Sequence, residues 1–76
     1  MTKLPQISGK DLIKALQKVG FNIIRQRGSH IKLRKTQPTK KTIIVPNHKI
    51  IRPGTFRNIL KIAEIDKNEF IKLLRK

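Results

Sequence analysis

The sequence contains no cysteine, tryptophan or tyrosine, and only four acidic residues among its 76. Without cysteine there is neither a disulfide framework nor a thiolate metal site, which fits a reducing compartment. Phenylalanine is the only aromatic and occurs three times, so the core has to be aliphatic, mostly Ile and Leu. No apolar run approaches the roughly 18 residues that span a bilayer. Met1 to Ile7 lacks the apolar stretch of a signal peptide, and the expectation is a soluble protein that stays in the cytoplasm.

The shortage of acids matters most. Nineteen Lys and Arg against four Asp and Glu give a formal charge of +15, whereas solubility of a small domain needs only about 2 to 8 net charges. Such an excess draws phosphate chains or an acidic partner protein; a merely solvated basic surface is the bland alternative. A membrane-surface helix fits less well, because the charges run along the whole chain and no Trp anchor is present. A chain of this length makes one domain, residues 1–76, that buries only about 60% of its unfolded surface.

Ser8 is a suitable N-cap with Asp11 three residues on, and Leu12, Ile13, Leu16 and Val19 recur at helical spacing, so a first helix is expected from about Gly9 to Val19, closed by Gly20. From Phe21 the period becomes two. Phe21 and Ile23 share one parity, and Ile31 and Leu33 take it up after an interruption at Arg27-Gly28-Ser29. A three-residue hairpin loop then sets Gln26 opposite His30 and Ile23 opposite Leu33. It leaves one apolar face and one that shows Asn22, Gln26, His30, Lys32 and Arg34. Lys35 to Lys41, with Pro38, reads as a basic loop, and Thr42 to Val45 as a short strand ended by Pro46. Asn47 to Arg52 connects to a second helix of roughly Pro53 to Glu64, with Phe56, Ile59, Leu60 and Ala63 as its stripe. Asp66 and Glu69 open a short third helix of about Lys67 to Arg75, with Lys72, Arg75 and Lys76 at the negative end of its dipole. The expected architecture is α+β: a three-stranded antiparallel sheet with helices on one face, in two layers like a double-stranded-RNA-binding domain.

At this point the chain resembles the HicA family of bacterial toxins. The pieces that carry the likeness are Ser8-Gly9-Lys10-Asp11-Leu12, Gly20-Phe21 and Arg25-Gln26-Arg27-Gly28-Ser29-His30, followed by Val45-Pro46 with His48, Pro53-Gly54-Thr55-Phe56-Arg57-Asn58-Ile59-Leu60, and Phe70-Ile71-Lys72-Leu73-Leu74. Their order and spacing cover nearly the whole sequence. The resemblance implies a double-stranded-RNA-binding-domain-like fold, a metal-independent ribonuclease acting on messenger RNA, a catalytic histidine at His30, no cofactor, and a HicB-type antitoxin as partner. Many relatives carry a polar residue or a second histidine after the catalytic one; here that residue is Ile31.

The residues suit that chemistry. Cleaving RNA without a metal needs a base for the 2′-hydroxyl and donors for the charged phosphorus centre. His30 is the candidate base, an imidazole placed at a turn and able to exchange protons near neutral pH. Its competing role is a surface histidine that only pairs with RNA or a strand neighbour. Gly28 suits a positive-φ turn that frees amides for phosphate, and Ser29 can orient His30, bind phosphate or simply bond its own backbone. Arg27, Lys32, Arg34, Lys40 and Lys41 are the expected backbone contacts. About six neutralised phosphates would give a salt slope of about −4 on single-stranded RNA. Gly54 and Thr55 could offer helix N-terminal amides, though ordinary capping explains them equally well. His48 is the possible second histidine of an acid/base pair, but spacing does not decide whether it approaches His30; a metal site would lack a third ligand. No aromatic falls on the histidine face, so base stacking cannot supply sequence selectivity. The acidic partner is expected to cover the His30 face. The alternative function is a non-catalytic RNA- or DNA-binding module.

Overall fold

The computed structural model describes residues 6–74, so Met1 to Pro5 of the lead-in and Arg75 and Lys76 of the expected third helix lie outside it. Helix α1 (Gly9–Lys18) is followed by strands β1 (Asn22–Arg27), β2 (His30–Lys35) and β3 (Lys41–Pro46), then by α2 (Pro53–Ala63) and α3 (Lys67–Leu74). The strands form one antiparallel sheet in the order β1-β2-β3.

Helices α1 and α3 start where a side-chain cap places them. The Ser8 hydroxyl accepts from the Asp11 N–H at 3.1 Å, and the Asp66 carboxylate accepts from the Glu69 N–H at 2.7 Å. Both bonds satisfy a donor that the first helical turn would otherwise leave free. The end of α1 closes by bonds from Gly20 and Phe21 N–H back to the carbonyls of Gln17 and Leu16. Alternation then sorts the strands. Ile31, Leu33, Ile43 and Val45 point inward and are buried with Leu12, Leu16, Phe21, Phe56, Leu60 and Phe70. Phe56 and Phe70 meet edge to face at 4.9 Å between centroids and join α2 to α3. The helices lie on this inner side, and the outer sheet face, with His30, Thr42 and Ile44 exposed, carries no second layer among the described residues. The architecture is the expected two-layer α+β sandwich, similar to a double-stranded-RNA-binding domain.

Three local expectations are corrected. The hairpin loop has two residues, not three: Arg27, not Gln26, pairs with His30, and Gln26 pairs with Ile31. Gly28 has φ +59° and Ser29 is not left-handed, which matches the glycine-first two-residue turn whose twist suits a hairpin. Ile23 nevertheless faces Leu33, because a bulge between Ile23 and Arg25 absorbs one residue and restores the register. Second, Lys35 and Lys41 are strand residues paired with each other; the loop is only residues 36–40, since β3 takes in Lys41 and Pro46. Third, β1 has no covered side. All six of its residues are exposed, including Ile23, whose register position belongs to the apolar face.

Candidate functional site

The open face of the sheet is built by the parity of β2. His30, Lys32 and Arg34 alternate with the buried Ile31 and Leu33, so the same burial that fixes the core turns these three outward. Cross-strand partners complete the surface: Arg27 stands beside His30, Arg25 beside Lys32, and on the other flank Pro46 beside His30 and Ile44 beside Lys32. A shallow groove of ≈ 320 Å³ lies among Arg25, Arg27, His30, Lys32 and Ile44. His30 is therefore exposed in a cationic groove that has one apolar wall.

The turn positions the histidine. Ser29 carries His30 out of the two-residue bend, and its carbonyl accepts from the Asn47 N–H at 2.6 Å, which ties the bend to the segment after β3. A Cβ added to Gly28 would meet nothing within 4 Å, so that side of the turn is open. The same segment is held from the other side, where Gly9 N–H donates to the His48 carbonyl at 2.8 Å. His48 thus belongs to the end of the sheet where His30 begins β2, two residues past the strand partner of His30. It does not line the groove.

The remaining expected contacts are distributed differently. Lys41 points to the helical side, where its ammonium binds the Glu64 carboxylate and its side chain is only 17% exposed. It is not a member of the His30 face. Lys40 lies beyond the Lys35–Lys41 pair at the far end of the sheet, about 17 Å of strand from His30. Arg34 is outward by alternation but half-buried, and its Nε is enclosed without a hydrogen-bond partner. Gly54 and Thr55 begin α2 outside the groove, behind an Arg52 cap that contributes no side-chain bond. Ile31, in place of the polar neighbour many relatives carry, is 6% exposed and faces the core, so its side chain is on the opposite sheet face from His30. Among the described residues no three His, Cys, Asp or Glu side chains gather into a metal-ligating group.

Two members of the groove were missed at the sequence level. Arg25 is absent from the contacts expected from the sequence, because a three-residue loop puts it on the wrong parity. Ile44 was absorbed into an undifferentiated β-branched run. Its signal was available, since Ile43 and Val45 as the inward pair leave Ile44 outward, where it is 54% exposed.

No helix among the described residues is long and apolar enough to cross a membrane. Comparisons with curated proteins and with solved structures each give no significant match. A family model described as "HicA toxin of bacterial toxin-antitoxin" matches residues 9–65, which takes in α1, the whole sheet, both histidines and α2. Most of the chain lies within that match, and the protein belongs to the HicA family of bacterial toxin–antitoxin toxins.

Proposed function

We propose that this toxin is a metal-independent endoribonuclease that cuts messenger RNA in the cytoplasm with His30 as its base, and that an acidic HicB-type antitoxin silences it by covering the His30 face. The observation that carries the reading is the exposed imidazole standing in a groove with Arg25, Arg27 and Lys32, in a chain of charge +15. A phosphodiester can lie along those cations with its ribose at His30. The imidazole takes the 2′-hydroxyl proton as the 2′-oxygen attacks phosphorus. The bond to the 5′-oxygen then breaks, the leaving oxygen takes a proton from water, and a 2′,3′-cyclic phosphate remains on the upstream fragment. Charge developing on the phosphorane oxygens is met by the guanidinium and ammonium groups. Positioned proton transfer by such a base is worth roughly 10² to 10⁴ in rate.

The test is incubation of purified toxin with RNA in excess chelator beside the His30→Gln variant. Wild type should give fragments ending in cyclic phosphate. The variant should lose at least about a hundredfold in rate while its RNA affinity changes little. RNA carrying a single 2′-deoxyribose at the cut position should resist there. Binding without cleavage by the wild type would instead identify a non-catalytic RNA-binding module, and full activity in the variant would remove His30 from the mechanism.

A further inference from the structure

The helical layer stops short of the sheet edge. β1 is an outer strand, its six residues are all exposed, and its far edge is unpaired among the described residues. Ile23 sits opposite the fully buried Leu33 yet is 47% exposed, and its neighbour Ile24 is 44% exposed. A row of free backbone donors and acceptors, with uncovered apolar side chains at one end, is a template for an added strand.

Charge selects what can occupy that edge. Arg25 and Arg27 alternate along β1 on the groove side. A second copy would bring another +15 against them, and the bulge at Ile24 twists the edge away from flat self-pairing. RNA could satisfy the two guanidinium groups and single backbone N–H groups, but it cannot match alternating donors and acceptors along the strand or cover the isoleucines. A polypeptide strand with carboxylates at alternate positions satisfies all three: its backbone pairs with β1, its acids reach Arg25 and Arg27, and its intervening apolar residues cover Ile23.

We propose that the outer edge of β1 is the docking strand for the acidic antitoxin, which adds to the sheet as a fourth strand and thereby overhangs the His30 groove. This deepens the partner reading above and rests on it, but it does not depend on the nuclease chemistry. Because Arg25 and Arg27 line the groove, a strand that occupies them competes directly with phosphate.

Amide hydrogen exchange tests the proposal on the intact toxin alone, with its purified antitoxin, and with an RNA oligonucleotide. Antitoxin should slow exchange tenfold or more at the amides of residues 22–27 that point away from β2, and RNA should not. The double variant Ile23→Lys, Ile24→Lys, both positions half-exposed, should bind antitoxin at least tenfold more weakly and still cleave RNA. Unchanged exchange in β1 of the saturated complex would overturn the inference. So would protection, in the free toxin, of those β1 amides that point away from β2, which would mean that its own chain or a second copy fills the edge. Protection by RNA equal to that by antitoxin would make the edge a nucleic-acid site and also overturn it. If antitoxin protects β1 while the wild-type toxin cleaves no RNA, the docking strand stands and only the nuclease reading falls.

Discussion

Two lysines of equal charge stand on opposite sides of the sheet. Lys32 stands on the open face beside Arg25 and Ile44, whereas Lys41 is held on the helical side by Glu64. Replacing Lys32 with Gln should weaken RNA binding at low salt and make the slope of log affinity against log salt shallower by about 0.7, the share of one neutralised phosphate on a single strand. Lys41→Gln should leave that slope unchanged and lower the thermal midpoint. Anisotropy titrations over a range of salt concentrations check both, and a Lys41→Gln variant with the flatter slope would put the phosphates on the wrong face. The contrast between these residues also marks what one-dimensional reading can reach. Lys32 was legible because it alternates with Ile31 and Leu33 inside a clear strand. Lys41 was not, because the proline and charge of residues 36–40 hid where β3 begins, and its partner Glu64 is 23 positions away. The β2 half of the open face is legible from parity alone, and the apolar wall at Ile44 follows from Ile43 and Val45 as the more apolar pair; the β1 half is not legible, because the two-residue turn and the bulge decide which of its residues turn outward.

At the scale of elements, the site depends on how α1 is seated. A Cβ added to Gly9 would meet the Pro46 carbonyl oxygen at 2.5 Å and the Asn47 Cα at 2.8 Å, so only glycine lets the helix start approach the segment that anchors the hairpin bend. Both contacts are backbone and cannot rotate away. Gly9→Ala should therefore cost about 1 to 3 kcal/mol by overpacking, read from denaturant melts, and should slow RNA cleavage in conditions where the fold remains intact, because the Asn47–Ser29 bond holds the turn beside His30. The far end of the sandwich is tied by Lys41 and Glu64. The Glu64 carboxyl is held below its ordinary 4.5 first by the hydrogen bond from Lys41 and then by the Lys41 charge. A carboxyl whose value falls on folding adds stability that is complete above the unfolded value and lost as pH drops through the folded one. The melting difference between wild type and Glu64→Gln should be positive at pH 7 and shrink toward zero as the solution is acidified below 4.5. A difference that did not shrink at all on acidification would assign Glu64 a role other than this ion pair. Helix positions and caps were readable from local spacing; the bulge at Ile24 was not, since it is defined only by the pairing of two strands and compensates for a turn one residue shorter than parity suggested.

Across the whole molecule, charge is plentiful but only part of it can act at the groove. Counting basic residues along the sequence suggested about six phosphate contacts. The fold removes Lys41 to the helical side and Lys40 to the distant end of the sheet, leaving Arg25, Arg27, Lys32 and Arg34 on the face that carries His30. Four phosphates neutralised on a single strand give a slope of about −3 rather than about −4. The remaining lysines on the outer sides of α1 and α2 raise the general potential, which speeds encounter without adding fixed contacts. On the proposed reading, this face should limit the RNA footprint to a few nucleotides even though the chain carries +15. Titrating the His30→Gln variant with a short single-stranded RNA between low and moderate salt reads the slope directly, and lengthening the RNA from about five to about fifteen nucleotides should leave it near −3. A slope that steepened in proportion to length would mean that the whole basic surface binds RNA and that His30 holds no privileged place on it.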